Sequence, residues 1–185
     1  MIVRYVAIVI MAILALFGIL ALLSRPARAA LDVGAPAPLF TTEATIGEHV
    51  FTFDLKAALK KGPVVLYFYP AAFTSGCTAE AHAFAAAIED YKKLHATVIG
   101  LSGDGIGKLK EFSTSECREK FAVGSDADLS IAKSYDATID YQHNLYANRV
   151  SYVISKDHKI AYVYASLDPD LHVEKTLEAV RKLSR

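Results

Sequence analysis

The sequence predicts an α/β domain behind an apolar leader, and three observations carry that prediction. Residues 64–69 (VVLYFY) form an unbroken apolar run rich in β-branched and aromatic side chains, the pattern of a strand buried on both faces. Close behind it, Cys77, Ala81, Phe84, Ile88, Tyr91 and His95 recur at alternating steps of four and three, which is one apolar face of a helix. Near the C-terminus, residues 150–154 and 160–164 read as two strands at hairpin spacing, followed by a helical pattern. Strand, helix, strand, helix, hairpin, helix is the order of a sheet covered by helices.

The leader comes first. Residues 5–23 carry no charge and lie between Arg4 and Arg25, long enough to span a bilayer as a helix. Ala27-Arg28-Ala29 fits a small-residue cleavage site. Two outcomes stay open, an uncleaved membrane anchor through residues 5–23 or an exported, processed protein with the leader as signal. Arg25 and Arg28 outweigh Arg4, which favours a cytoplasmic C-terminal part. The cleavage site argues the other way, and the periplasmic side is preferred, with the cytoplasmic face still open. The division is therefore 1–30 as signal or anchor and 31–185 as one domain, large enough for a single core.

Within the domain, residues 33–40 (VGAPAPLF) make a Pro-rich entry. Residues 40–42 and 49–52 pair as a hairpin across Gly47. Residues 55–59 form a short helix that ends at Lys60-Lys61-Gly62-Pro63. Pro70 stops the buried strand because it has no N–H for a ladder. Thr74 or Ser75 caps the central helix. Residues 97–101 are a second apolar strand. The turn-rich loop 102–107 lacks the spacing of a nucleotide-binding motif. Residues 108–117 read as a helix with Leu109 and Phe112 inward. A short strand at 121–123 and a turn and cap at 125–128 lead into a helix at 129–135. Residues 136–148 are polar and weakly patterned, and read as a loop. Asp168 and Pro169 start a last helix, 169–183, with Val173, Leu177 and Val180 inward.

Charge excludes one class of function. The leader holds three of the 20 basic residues and no acid, so beyond it 17 basic residues face 20 acidic ones. No basic stripe exists for nucleic acid.

The chemistry gathers at Cys77. It lies in the first turn of a helix issuing from a buried strand, where free N–H groups and a partial positive charge favour thiolate over thiol. The plainer reading is a small core residue, since free cysteine is often buried. Glu80, three residues on, shares its side of the helix or is simply a first-turn acid favoured by the dipole. Tyr67 and Tyr69 read as core or pocket wall.

Pro70, Thr74 and Cys77 form PxxxTxxC, which resembles the active-site signature of the peroxiredoxins. The surrounding FYPAAFTSGCTAE is similar to the bacterioferritin-comigratory-protein, or peroxiredoxin Q, branch of the AhpC/TSA superfamily, and VGAPAPLF resembles the opening of such domains. The resemblance covers residues 33–182. It implies a thioredoxin-like fold, a central mixed sheet flanked by helices, with a peroxiredoxin-type N-terminal extension. It also implies an antioxidant, thiol-dependent peroxidase that reduces hydrogen peroxide and organic hydroperoxides through a sulfenic acid on Cys77, without metal or organic cofactor. Its electrons come from a thioredoxin-like protein, and the chain is a monomer or weak dimer.

The resemblance also distributes roles. Thr74 aims a hydroxyl at thiolate or peroxide, and Pro70 shields the sulfur. An arginine at the start of a late strand is required, and Asn148-Arg149-Val150 fits it. Without the resemblance Arg149 reads as a solvated strand-edge charge. Glu80 helps hold that arginine. The usual resolving position, five residues after Cys77, is His82, to which no role is given. Cys117 becomes the resolving candidate, against a buried structural thiol, a one-cysteine enzyme or a plain structural disulfide. As both cysteines fall in separate helices, pairing them requires the first turn of the central helix to unwind.

Three other readings are weighed against this. A membrane-tethered thioredoxin-like oxidoreductase wants CxxC, whereas Cys77 is followed by Thr78, Ala79 and Glu80. A copper chaperone wants a second nearby thiol. A non-catalytic anchored interaction domain tolerates loss of Cys77.

Overall fold

The computed structural model describes residues 30–184. The apolar run 5–23 and the cleavage site at 27–29 lie outside these residues. Among the described residues no helix is long and apolar enough to cross a membrane.

The elements are β1 (Thr41–Ile46), β2 (His49–Asp54), α1 (Leu55–Lys61), β3 (Val64–Phe68), α2 (Ser75–Lys93), β4 (Thr97–Ser102), α3 (Ile106–Ser115), β5 (Ala122–Ser125), α4 (Ser130–Ser134), β6 (Thr138–Tyr141), β7 (Asn144–Ala147), β8 (Val150–Ile154), β9 (Ile160–Ala165) and α5 (His172–Leu183). Seven strands form one mixed sheet in the order β2-β1-β5-β4-β3-β8-β9, and β6 and β7 form a separate hairpin. β3 is flanked by β4 in parallel and β8 antiparallel. This is the thioredoxin-like α/β architecture expected, with the β1–β2 hairpin extending the sheet at one edge.

β3 is buried at all five positions, and its alternation divides the core. Val64, Leu66 and Phe68 face a cluster with Leu55 and Leu59 of α1, Ala132 of α4, and Tyr152. Val65, Tyr67 and Tyr69 face the other side, with Ala81, Phe84 and Ile88 of α2, Leu109 and Phe112 of α3, and Leu177 and Val180 of α5. Tyr67 stacks on Phe84 at 4.4 Å between ring centroids. Its ring lies over Gly100, its register partner on β4, where a Cβ would stand 2.5 Å from a ring carbon. Burying one such ring contributes about 1.5–3 kcal/mol. Gly47, at φ +57°, turns the β1–β2 hairpin in a conformation other residues resist.

Four local expectations are corrected. Residues 136–148 contain the β6–β7 hairpin, turned by Gln142 and His143, both at positive φ. Its strands expose Tyr141, Leu145 and Tyr146, so they lack the alternation that a core face imposes on sequence. α5 begins at His172, not Pro169: residues 168–171 are spent in turns, with Asp170 N–H bonded to the Asp168 carboxylate at 3.1 Å. His95 is not on the α2 face; it adopts φ +55° beyond the helix and is exposed. Cys117 lies two residues past the end of α3, in a turn completed by Arg118 and Glu119 at positive φ.

Candidate active site

The sheet register sets the site's frame. Phe68 at the end of β3 pairs with Val150 at the start of β8, and the strands run antiparallel. The chain therefore leaves β3 toward Cys77 at the same end where it enters β8 through Arg149. Tyr69 N–H still bonds to Leu101 at 3.1 Å, and half-buried Pro70 ends the pairing.

The loop that follows is pinned from β4. Ala72 N–H donates to Asp104 Oδ2 at 2.7 Å, Ser102 donates to the same oxygen at 2.9 Å, and Lys108 holds Oδ1 at 2.7 Å. Phe73 is bent to φ +68°, strained for a non-glycine residue, with its ring edge-on to Phe112 at 5.3 Å. Asp104 and Phe73 were not picked out in the sequence, where residues 102–107 read only as a turn-rich loop. Thr74 follows as the N-cap residue of α2 by backbone geometry, but its side chain makes no cap bond. The Thr74 hydroxyl donates to Ala71 O at 3.0 Å and is exposed.

Cys77, third residue of the 19-residue α2, is 2% exposed. Arg149, separated from it by 72 positions, brings Nη2 to 3.3 Å from its sulfur. The same guanidinium donates through Nη1 to Glu80 Oε2 in a short, buried ion pair, and through Nε to Leu167 O at 3.0 Å. Each face of the fork thus has a partner, so the cation is fixed rather than free to swing. Arg149 is 5% exposed and Glu80 fully buried. Gly76 leaves room for this arm, since a Cβ there would sit 3.1 Å from Nη2. Burial works against the Arg149 charge, but Glu80 and Cys77 outweigh it and hold its pKa above the usual value. For Glu80 the balance runs the other way. Burial raises its carboxyl well above the ordinary range, against the pull of Arg149.

The sequence-stated cluster of Pro70, Thr74, Cys77, Glu80 and Arg149 therefore gathers at one end of β3. Cys117 is not among the partners of the Arg149 guanidinium, which are Cys77, Glu80 and Leu167 O. It is fully buried in the same apolar cluster as Cys77, both are free thiols, and burial, then Glu116, pushes its thiol well up. His82 has a partner after all: Glu116, at 2.8 Å. Tyr67 is fully buried, and its hydroxyl has no hydrogen-bond partner among the described residues. One buried residue the sequence did not flag, His172, lies behind Glu80.

A preorganised cation beside a helix N-terminal thiol fits attack by sulfur on an electrophile with stabilisation of a departing anion. The model of the AhpC/TSA family matches residues 33–163. The chain belongs to the AhpC/TSA family. Peroxiredoxin Q of Oryza sativa subsp. japonica, a chloroplastic protein, is 35% identical over 151 residues, covering 81% of this chain and 67% of its own. Its counterpart from Triticum aestivum is 36% identical over the same length. Among solved structures, peroxidoxin BcpB of Mycobacterium tuberculosis is similar with a TM-score of 0.75 and 30% identity, covering 83% of this chain and 98% of that one. PrxQ of Xylella fastidiosa, at 20% identity and a TM-score of 0.75, shares the fold. With such relatives the chain is a peroxiredoxin, a thiol peroxidase.

Proposed function

We propose that Cys77 is the peroxidatic thiolate and that the chain reduces hydrogen peroxide and organic hydroperoxides. The observation that carries this reading is the 3.3 Å approach of Arg149 Nη2 to the Cys77 sulfur. The sulfur attacks the terminal peroxide oxygen, forming S–O as O–O breaks. The electron pair leaves on the other oxygen, which takes up a proton as water or alcohol, and Cys77 remains as sulfenic acid. Arg149 supports first the thiolate and then the departing oxyanion. Thr74 swings its exposed hydroxyl from Ala71 O toward the bound peroxide, and Pro70 closes the sulfur off from bulk water. Glu80 fixes the guanidinium fork.

Cys117 is the resolving thiol in this proposal. Its sulfur displaces the sulfenic hydroxyl as water and forms the Cys77–Cys117 disulfide, which a thioredoxin-like dithiol protein reduces. Cys117 sits in a turn beyond α3, held by Cys117 N–H to Phe112 O at 3.1 Å and Lys120 N–H to Cys117 O at 3.0 Å. Peroxide titration of the reduced protein, trapped with dimedone and mapped without reductant, tests both steps. Sulfenic acid on Cys77 followed by a Cys77–Cys117 peptide is expected. Oxidation of Cys77 no faster than a free thiol would end the peroxidase reading, and sulfenic acid without the linked peptide would end the role of Cys117.

A further inference from the structure

The buried cluster holds one cation and two groups that can be anionic. Arg149 faces the Cys77 sulfur on one side and Glu80 on the other. If both were ionised, the pocket would carry an unbalanced negative charge away from water, which is costly. Glu80 Oε2 is occupied by Arg149, whereas Oε1, fully buried, has no hydrogen-bond partner among the described residues. His172 Nδ1 stands 3.5 Å from it, on a ring that is itself fully buried.

The ring's other nitrogen decides its tautomer. Nε2 lies 3.0 Å from Ser166 O, and a carbonyl accepts only, so Nε2 carries the proton. On the neutral ring Nδ1 is then an acceptor. Ser151 Oγ, 2.8 Å away, is its present donor. Tyr164 lies edge-on against the ring at 4.8 Å between centroids, closing its remaining side. The other charged or titratable groups that act on this pair are Arg149, Asp168 beyond the ring and Tyr67 on β3, with Cys77 on the far side of the Arg149 guanidinium. Among the described residues none of them hydrogen-bonds Oε1, and Nδ1 stands 3.5 Å from it.

We propose that His172 is a positioning residue for the peroxidase reaction: its Nδ1 accepts a proton carried on Glu80 Oε1, which neutralises Glu80 and leaves Arg149 to the Cys77 thiolate. Ser151 competes for the same lone pair. Burial favours this state from both ends, raising the Glu80 carboxyl and lowering the His172 imidazole to about 4, so that the acid keeps its proton and the ring stays neutral. The present 3.5 Å closes to a hydrogen bond with a shift of about half an ångström. The α5 start at His172, rather than at Pro169, is what delivers the ring to this place.

The proposal rests on the reading of Cys77 as the reactive thiolate, and its test separates the two. The rate of Cys77 alkylation by iodoacetamide against pH reports ionisation of the thiol without any peroxide turnover. His172→Leu is expected to move the midpoint of that profile up by about one unit, a tenfold loss of thiolate at pH values below both midpoints. In a Glu80→Gln background, where the side chain is permanently neutral, the same substitution is expected to move it by less than a third of that. An equal shift in both backgrounds, or none in the first, would overturn the proposal. Ser151→Ala, a small buried change, is read alongside in case His172→Leu does not fold. Removing the competing hydroxyl is expected to lower the midpoint, and an unchanged or higher midpoint would overturn the proposal as well.

Discussion

The two thiols of this chain are almost equally buried and chemically unlike. Cys77 is 2% exposed and Cys117 fully buried, and both belong to one apolar cluster. At the start of α2, burial comes with a helix N-terminus and the Arg149 guanidinium. In the turn after α3 it comes with apolar neighbours and the nearby Glu116, and the thiol is pushed up. The contrast is that burial among apolar neighbours suppresses thiolate chemistry at Cys117, whereas in the reading proposed above a fixed cation enclosed with the sulfur offsets that cost at Cys77. In a low-dielectric pocket the attraction between guanidinium and sulfur is less screened than it would be in water.

Removing the cation tests that contrast most severely. Arg149→Ala is expected to slow peroxide oxidation of Cys77 by about 10²–10³-fold, the scale for losing one preorganised charge donor. Dimedone trapping in rapid-quench samples measures it. A change under threefold would mean that the helix terminus alone sets Cys77 apart from Cys117. The apolar side is broken by Phe112→Ala, which removes a fully buried ring beside Phe73 and Tyr69 and is expected to cost about 3–5 kcal/mol in urea unfolding. The same variant should let iodoacetamide reach Cys117, which is expected to stay silent in the parent protein.

A smaller effect is expected from Asp104→Asn. It weakens the charged acceptor that pins Ala72 N–H and is expected to slow Cys77 oxidation by about tenfold, one charge-assisted bond of about 1.5 kcal/mol. Mass-resolved oxidation time courses would show it, with Cys117 alkylation unchanged as the control.

The smallest expected effect concerns pH and stability. His172 refuses a proton in the fold until about pH 4, whereas unfolded histidine takes one up near 6.5. Between those values the unfolded state binds more protons, so this residue makes stability rise with pH. Glu80 is raised, binds more protons when folded, and makes stability fall as pH climbs from its ordinary range through its folded value. The two oppose each other. His172→Asn is therefore expected to tilt the pH 4.5–6.5 stability profile downward by about 1 kcal/mol relative to the parent, read from urea midpoints. An upward tilt would contradict the neutral ring.

Much of this was legible in the chain. The buried run of β3, the face of α2 and the β8–β9 pair follow from apolar periodicity, because each packs against a core, and the β1–β2 hairpin follows from the turn at Gly47. The β6–β7 hairpin escaped because its four-residue strands leave Leu145 and Tyr146 exposed and impress no period. The start of α5 was misplaced because Asp168-Pro169 is as good an opening for a turn as for a helix. Pro70, Thr74 and Cys77 were readable as a local string. Asp104 and His172 were not, since an acid in a turn and a histidine on a helix look alike whether solvated or buried.

What the sequence settled by itself is the junction: a strand that must be buried, a proline that ends it, and a cysteine in the first turn of the next helix, all consequences of neighbouring residues. What only the tertiary structure decided is the company that cysteine keeps. Arg149 reaches it because β8 pairs antiparallel with β3 in a register set by Phe68 and Val150, and His172 reaches Glu80, not the sulfur, because α5 packs its first residue behind that carboxylate. Pairing across so many residues depends on how the whole sheet buries its two faces, and no local pattern encodes that.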